Sequence, residues 1–275
     1  METLLAMKRA APDLGVGVCD WSIGLRGQPR GAVEWCAKAG LDAVQISPNG
    51  AAEKLSYAAK KVQTEYNKLA RDTGVKIASV GLTVTNGCPL ATDERGAGWL
   101  VQTIDTAAAL RCTATLIAFF GKGSLKARKA LKKKEVDAVI GKLKEAAPHA
   151  KAKGVYLGLE NTLSARENMM IMDKVGGDRV QVYYDIANST NGGYDVPAEI
   201  RMLKGRICEF HFKNTKGAFG ESGVKCEPIA KAIRETGFKG WLIMERSFGE
   251  DCMAYFRKNA TYIRKLFALP APKAG

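Results

Sequence analysis

Short apolar runs alternate with longer segments of helical periodicity along most of the chain. Eight runs have the length and residue types of strands: Leu14–Cys19, Leu41–Ile46, Val75–Val80, Thr113–Phe119, Val155–Glu160, Val180–Asp185, Ile207–His211 and Trp241–Glu245. The segments after them have apolar residues at helical spacing: Gly31–Ala39, Glu53–Asp72, Arg95–Leu110, Lys133–Lys153, a helix from near Ser164, Pro197–Leu203, Glu227–Thr236 and Cys252–Phe267. Because parallel strands need helical crossovers, the pattern predicts eight strand-helix units.

Eight such units favour a single closed (β/α)8 TIM barrel over an open sheet. The chain has 275 residues, 46% of them apolar, which is enough for one core of this size. A doubly wound sheet usually carries a glycine-rich fingerprint after its first strand, whereas the turn here reads Asp20-Trp21-Ser22-Ile23-Gly24. We expect residues 14–268 to form the barrel, residues 1–13 to be an N-terminal extension and residues 269–275 to be a flexible tail.

Side chains that bind metal ions end four successive runs. These residues are Glu160, Asp185, His211 and Glu245. In a parallel barrel the carboxyl ends of the strands lie on one rim, where TIM barrels hold their active sites. One strand-end carboxylate commonly caps a helix, but four polar groups packed together without a cation would cost on the order of several kcal/mol in desolvation and like-charge repulsion. The sequence therefore predicts one divalent metal ion held by all four residues.

The residue types narrow the identity of the metal. Carboxylates are hard oxygen ligands suited to Mg²⁺ or Mn²⁺, and one imidazole moves the preference toward Mn²⁺, Co²⁺, Fe²⁺ or Zn²⁺. Mn²⁺ is the expected cofactor, with Mg²⁺, Co²⁺, Zn²⁺ and Fe²⁺ as alternatives.

The segments around these residues resemble the strand ends of one known family. They read LGLEN at 157–161, YDIAN at 184–188, FHFKN at 210–214 and IMERS at 243–247. Over about residues 14–268 the chain resembles the xylose isomerase-like TIM barrels, also called AP endonuclease family 2. That family includes sugar isomerases, ketose 3-epimerases, hydroxypyruvate isomerases and inosose dehydratases. The resemblance implies that Glu160 and Glu245 are metal ligands and also the catalytic acid and base. Asp185 and His211 would be ligands only.

The chemistry of such a site favours proton transfer beside a carbonyl. A cation next to the carbonyl stabilises the developing enediolate, and a carboxylate on each face lets a proton leave one face and return to the other. We therefore expect a divalent-metal-dependent isomerase or epimerase that acts on a keto-sugar through a metal-stabilised enediolate. If the second carboxylate protonates a leaving group, the same site makes a lyase or dehydratase for a keto-sugar or keto-glycoside. A non-catalytic carbohydrate-binding barrel is a third hypothesis, and all three take a small-molecule carbohydrate.

Four further residues are candidates for contacts with the substrate. Lys213, two residues after His211 on a strand, should face the same side, where it either reaches a substrate oxygen or forms a salt bridge at the rim. Trp21 and Phe119, near the ends of the first and fourth strands, either stack on an apolar sugar face or pack in the core. Asn188 either orients a ligand or caps a turn.

Three positions depart from the patterns of the family. Ketose 3-epimerases commonly carry a histidine three residues after the metal-binding aspartate and an arginine six residues after the metal-binding histidine, where this chain has Asn188 and Gly217. The second strand has Gln45 where many relatives have an acidic residue. These differences leave the substrate open. The DNA-repair relatives need several more histidines for a trinuclear zinc site, and this chain has only His149 and His211, which argues against a zinc endonuclease.

The basic balance of the chain produces a field that attracts anions. The net charge is +14, and the densest block of positive charge runs from Lys122 to Lys134. The block has no interleaved aromatic residues, and its apolar residues alternate with lysines as on a solvated helix face. We expect an exposed loop and helix start there, with anion steering as the alternative, and no nucleic-acid partner.

Cysteine usage and hydropathy bear on the compartment. The seven cysteines show no CxxC or CxxH spacing and several lie in apolar runs, which favours reduced, buried thiols and a cytoplasmic location. No apolar run approaches the roughly 18 residues that span a bilayer, and the first 12 residues lack the apolar core of a secretory signal, so we expect no membrane partner. A longer, exported precursor would look the same after processing. Relatives in this family often form dimers or tetramers, so the resemblance also implies a homo-oligomer.

Overall fold

Eight parallel strands close into a barrel at the centre of the computed structural model, which describes residues 13–128, 130–221, 223–246 and 252–271. The strands are β1 (Leu14–Cys19), β2 (Ala43–Ile46), β3 (Lys76–Leu82), β4 (Ala114–Ala118), β5 (Tyr156–Glu160), β6 (Val180–Asp185), β7 (Ile207–Phe212) and β8 (Gly240–Met244). Each strand pairs with the next along the chain, and β8 pairs with β1. The prediction of a single (β/α)8 TIM barrel is confirmed. The predicted extension, apart from Asp13, and the end of the predicted tail lie outside the described residues.

A helix follows every strand and lies outside the barrel. The helices are α1 (Pro29–Ala39), α2 (Lys60–Thr73), α3 (Gly96–Ala109), α4 (Lys133–Lys153), α5 (Ala165–Val175), α6 (Val196–Leu203), α7 (Cys226–Glu235) and α8 (Cys252–Phe267). Gly40 and Gly154 end α1 and α4 with φ of +70° and +66°, a left-handed conformation that glycine adopts without strain. Within the described ranges, no helix combines the length and the apolarity needed to cross a membrane.

The segment between β2 and α2 differs from the prediction. The predicted helix Glu53–Asp72 begins only at Lys60, after a short 3-10 turn at Ser56–Ala58. The backbone before this turn bonds instead to α3, where Gln102 Oε1 accepts a hydrogen bond of 2.8 Å from Leu55 N. Long-range bonds of this kind override local helical propensity.

The basic block from Lys122 to Lys134 contains more structure than the predicted loop. Two short antiparallel strands form there, Lys126–Ala127 and Ala130–Leu131. Lys126 Nζ lies 2.9 Å from Glu167 Oε2. This salt bridge connects the block to the start of α5, and Glu167 neutralises the charge of Lys126.

Alternation along the strands gives the barrel wall an outer and an inner face. Outward residues such as Val16, Leu159 and Phe210 pack against the helices in the main hydrophobic core. Residues on the inner face form two smaller apolar clusters. The first contains Cys19, Ala43, Ala78, Trp241 and Ile243, and the second contains Leu116, Ala118 and Tyr183. Buried polar residues occupy further strand positions, among them Gln45, Ser79 and Glu209. These polar side chains share the barrel interior with the strand-end residues described next.

Candidate metal centre

The four strand-end residues lie together at the carboxyl end of the barrel. Glu160, Asp185 and His211 lie in β5, β6 and β7 and are buried, and Glu245 directly follows β8. One ligand atom from each of the four lies within 4.8 Å of the others. Neighbouring parallel strands bring their ends to one rim, which explains why residues far apart in sequence converge. The cluster could hold one metal ion.

His211 contacts two of the three carboxylates. Its Nδ1 lies 2.6 Å from Glu160 Oε1 and 3.4 Å from Glu245 Oε2. Burial by itself lowers the pKa of an imidazole, but these carboxylates outweigh burial and raise the pKa of His211 to about 9. The carboxylates therefore favour positive charge at the nitrogen that faces them.

Glu160 and Glu245 have the same side chain in different surroundings. The Glu160 side chain is 4% exposed, and burial raises its pKa although His211 opposes this shift. The Glu245 side chain is 19% exposed, and there burial is outweighed by His211 and Lys213, which lower its pKa to about 2. Glu245 Oε1 also accepts a hydrogen bond of 3.0 Å from Trp21 Nε1. Burial thus favours the protonated form of Glu160, whereas His211 and Lys213 favour the ionised form of Glu245.

Asp185 uses its two carboxylate oxygens differently. Oδ1 accepts hydrogen bonds from Ala187 N (2.8 Å) and Asn188 N (2.9 Å), which caps a short helix, Ile186–Asn191. Oδ2 is buried and forms a salt bridge of 2.8 Å with Lys213 Nζ. Burial raises the pKa of Asp185. Oδ2 is a hard oxygen donor directed at the cluster, so it could also bind a divalent ion there.

Lys213 extends from the end of β7 on the same side as His211, as the strand alternation predicts. Its Nζ lies 2.7 Å from Glu245 Oε2 and 2.8 Å from Asp185 Oδ2. Burial by itself would lower the pKa of Lys213, but these two carboxylates raise it above its usual value. Three carboxyl groups and one imidazole offer oxygen and nitrogen donors within 4.8 Å of one another, so the residues present fit a divalent ion. The structure shows the salt-bridge role of Lys213, and a contact with substrate stays a prediction.

The two aromatic candidates lie in different places. Trp21 lies beside the cluster, where its ring meets the His211 ring edge-on at a centroid distance of 5.9 Å. Phe119 is 1% exposed and belongs to the main core, so it packs against the helices instead of facing a sugar. Its neighbour Phe120 is partly exposed and packs against the second inner cluster. Extending the two-residue alternation past the end of β4 would have selected Phe120, which the sequence reasoning missed.

The remaining polar candidates have local partners. Asn188 lies in the short helix after β6, where its backbone N–H bonds to Asp185, and a role of its side chain in substrate binding stays a prediction. His149 lies in α4, where its Nε2 is 2.9 Å from Asp105 Oδ1. Its partner is thus in α3, outside the barrel, and His149 is not part of the cluster at the barrel mouth.

Gln45 contacts the cluster from inside the barrel, a role that the sequence reasoning did not assign. It is fully buried near the end of β2, with Oε1 2.8 Å from His211 Nε2. Glu209 is also buried, two residues before His211 on the same face of β7, and burial raises its pKa to about 8. The available signal was a polar side chain inside an otherwise apolar strand, because such a group requires a buried partner.

The comparison with protein families agrees with the fold. The family model of the xylose isomerase-like TIM barrel matches residues 33–266, and the chain belongs to this family. The sequence matches none of the curated proteins with which it was compared.

Several solved structures with a similar fold are sugar epimerases. An L-ribulose 3-epimerase is 20% identical, covers 93% of this chain and 95% of its own, and has a TM-score of 0.73. A D-allulose 3-epimerase from Methylomonas sp. is 15% identical, with 94% and 99% covered and a TM-score of 0.76. A 3-keto-D-glucoside 4-epimerase from E. coli is 10% identical, with 92% and 99% covered and a TM-score of 0.72. At these identities the likeness shows a shared fold alone.

Proposed function

We propose that the protein is an isomerase or epimerase that depends on a divalent cation and acts on a keto-sugar. The observation that carries this proposal is the cluster at the barrel mouth, in which ligand atoms of four side chains lie within 4.8 Å of one another and which includes a pair of glutamates, Glu160 and Glu245. Carboxyl pairs of this kind supply the acid and the base in proton-transfer enzymes. The similar structures include epimerases of L-ribulose, D-allulose and a 3-keto-D-glucoside, which supports this class of reaction.

The proposed ligands of the cation are Glu160, Asp185, His211 and Glu245. When bound, a divalent ion supplies positive charge opposite the negative charge that develops on substrate oxygens as a proton leaves carbon. His211 offers the nitrogen that faces Glu160, and Asp185 offers Oδ2, the oxygen that does not cap the short helix. Mn²⁺ suits this donor set, and Mg²⁺, Co²⁺, Zn²⁺ and Fe²⁺ are the other candidates.

The two glutamates have separate starting roles in this proposal. Glu245 is ionised and the more exposed of the two, so it takes the proton from the carbon next to the carbonyl. Glu160 is the carboxyl group that burial helps to keep protonated, so it returns a proton to carbon or oxygen. The roles exchange when the reaction runs in the other direction, because each glutamate acts on its own face of the reacting carbon.

Three neighbours would bind and orient the sugar. Lys213 would donate a hydrogen bond to a substrate oxygen from its place beside Asp185 and Glu245. Trp21 holds Glu245 through its indole N–H and would offer an apolar edge to the sugar ring. Asn188 would add a polar contact from the short helix after β6. Phe119 is no longer a candidate, since it is buried in the main core.

A lyase or dehydratase acting on a keto-sugar or keto-glycoside is the second candidate. In this reaction the proton donor would be Glu160, the more buried of the two glutamates, while Glu245 removes the carbon-bound proton. Such a donor could protonate a leaving hydroxyl or alkoxide after the carbon-bound proton has been removed. The same residues would then release water or an alcohol in place of an epimer.

Incubation in deuterated water with a panel of keto-sugars tests the proposed reaction. Protein loaded with Mn²⁺ should introduce one deuterium at carbon into an isomer of a substrate, and removal of the metal with a chelator should stop the exchange. Mass spectrometry separates the two candidates, because an isomer keeps the atoms of the substrate whereas elimination loses water or an alcohol. If the metal-loaded protein binds sugars but exchanges no carbon-bound hydrogen with any of them, the enzyme proposal is wrong and a carbohydrate-binding barrel remains.

A further inference from the structure

A line of buried polar side chains runs from His211 into the barrel interior. It consists of Gln45, Ser79 and Glu209, none of them more than 1% exposed, and we call it the polar line. Gln45 Oε1 lies 2.8 Å from His211 Nε2, and Gln45 Nε2 lies 3.0 Å from Ser79 Oγ. Ser79 Oγ in turn lies 3.1 Å from Glu209 Oε1. The line joins β2, β3 and β7 through side chains alone.

The side-chain amide of Gln45 has one orientation that satisfies all of its neighbours. Its NH₂ group can only donate, and Ser79 Oγ accepts from it, which leaves the Ser79 hydroxyl proton for Glu209. Its Oε1 can only accept. It accepts a hydrogen bond of 3.2 Å from the Cys19 thiol and also faces His211 Nε2. A flipped amide would place donors against Cys19 and draw the Ser79 proton away from Glu209. The polar line therefore has a fixed direction from donor to acceptor.

This direction determines which nitrogen of His211 carries a proton. With the amide oxygen of Gln45 facing Nε2, only a proton on Nε2 completes a hydrogen bond between them. A neutral imidazole in that tautomer has its lone pair on Nδ1. Nδ1 is the nitrogen 2.6 Å from Glu160 Oε1, on the side of the four-residue cluster. We propose that Gln45, held by Ser79 and Glu209, is a positioning residue that fixes the ring and the tautomer of His211 for binding a divalent cation. The inference rests on the metal centre of the proposed function and assigns the residues that prepare it.

Three variants separate the acceptor role of Gln45 from its role in packing. Gln45→Met keeps nearly the same shape but offers no oxygen to His211, whereas Gln45→Glu keeps an acceptor there. Tyr183→Phe is the matched control, since it removes a buried hydroxyl 3.4 Å from Ser79 Oγ but keeps the ring that packs against His211. Mn²⁺ dissociation constants from competition with a fluorescent chelator should be about 10- to 100-fold weaker for Gln45→Met. Gln45→Glu and Tyr183→Phe should stay close to the wild-type value.

Nuclear magnetic resonance of ¹⁵N-labelled histidine reports the tautomer directly. The chain has only two histidines, so His211 and His149 account for the whole imidazole spectrum. In wild-type protein loaded with Zn²⁺, His211 should show a slowly exchanging proton on Nε2 and none on Nδ1. In Gln45→Met that proton should exchange faster or move, while the His149 signals stay unchanged as an internal reference.

The outcomes distinguish this inference from the proposed function. If folded Gln45→Met binds Mn²⁺ as tightly as the wild type, or if the wild-type Nε2 carries no proton, the positioning role is wrong. If the wild type binds no divalent cation, the metal centre of the proposed function is wrong. In that case the exchange rate of the Nε2 proton in the metal-free wild type and in metal-free Gln45→Met would still test the contact: faster exchange in the variant would show that Gln45 holds the His211 ring, and equal rates would overturn that role.

Discussion

Glu160 and Glu245 differ in burial and in their partners, and this difference predicts different effects when each is replaced by glutamine. At saturating Mn²⁺, Glu245→Gln should lower the rate of hydrogen exchange in the substrate by about 10²- to 10⁴-fold, because an amide cannot act as a base. Glu160→Gln should slow return of the proton on the opposite face by a similar factor, so fewer molecules of epimer form for each hydrogen exchanged in the substrate. Rates from mass spectrometry check this, with Glu34→Gln, an exposed residue of α1, as the control. Variants as active as the wild type would remove both residues from the mechanism.

Lys213 competes for the carboxylate oxygens that the proposed cation would use. Its ammonium group lies within 2.8 Å of Asp185 Oδ2 and Glu245 Oε2. Lys213→Met should therefore bind Mn²⁺ at least several-fold more tightly, because a repelling charge and a competing donor are gone. Its exchange activity should fall, since the proposed contact with substrate oxygen is lost. Calorimetric titration checks the affinity, and weaker binding would show that Lys213 supports the metal instead of competing with it.

Asp20 predicts a pH dependence of stability that is separate from the metal centre. The residue is fully buried and accepts hydrogen bonds from Ser47 N and Ser47 Oγ, yet burial raises its pKa from 3.8 to about 6. A carboxyl group whose pKa is higher in the folded state than in the unfolded state lowers the free energy of unfolding when it is ionised. For Asp20 this loss of stability is absent below about pH 4 and complete above about pH 6. By linkage the complete loss in the free energy of unfolding is about 3 kcal/mol.

Urea unfolding of the wild type and of Asp20→Asn between pH 4 and pH 7 measures this effect. The free energy of unfolding of the wild type should fall relative to that of the variant as the pH rises. Parallel curves would show that the carboxylate is as well stabilised in the folded protein as in water.

At the scale of the elements, the strands were predictable and two connections were not. Each predicted strand lies within a few residues of the observed one, because buried parallel strands read as short apolar runs between glycine-ended helices. The path of the chain between β2 and α2 depends on a hydrogen bond from Leu55 N to Gln102 in α3. The short strand pair near Lys126 depends similarly on Glu167 in α5. Contacts between residues 47 and 41 positions apart leave no periodic signal in the sequence.

Gly158 in β5 shows how closely the strands pack inside the barrel. A Cβ atom there would lie 2.5 Å from Thr115 O and 2.8 Å from Cys208 Sγ. Gly158→Ala should therefore lower the free energy of unfolding by about 1–3 kcal/mol, because the backbone oxygen cannot move cheaply. Gly141→Ala is the matched control, since a Cβ on this exposed residue of α4 meets nothing within 4 Å and should raise stability by up to about 1 kcal/mol. Effects of the same sign in urea unfolding would contradict this account.

At the scale of the whole molecule, closing the barrel assembles the candidate site from both halves of the chain. Strand-end logic was sufficient to predict the convergence of four ligand-type residues, because consecutive parallel strands end on one rim. The contact of Gln45 with His211 was not predictable, since it crosses the barrel between β2 and β7. Of the two alternatives for Phe119, the structure shows packing in the core, because one residue of register decides whether a side chain faces the core or the mouth. The predicted homo-oligomer and the absence of a nucleic-acid partner stay predictions.

The central claim is that one divalent cation binds to Glu160, Asp185, His211 and Glu245. Calorimetric titration of Mn²⁺ into the wild type and into Asp185→Asn tests it most directly, because Asn keeps an oxygen for the N–H groups of Ala187 and Asn188 but removes the charge. The account predicts one Mn²⁺ per chain in the wild type and binding weakened by at least about tenfold in the variant. A wild type without saturable binding, or a variant that binds Mn²⁺ equally well, would contradict it.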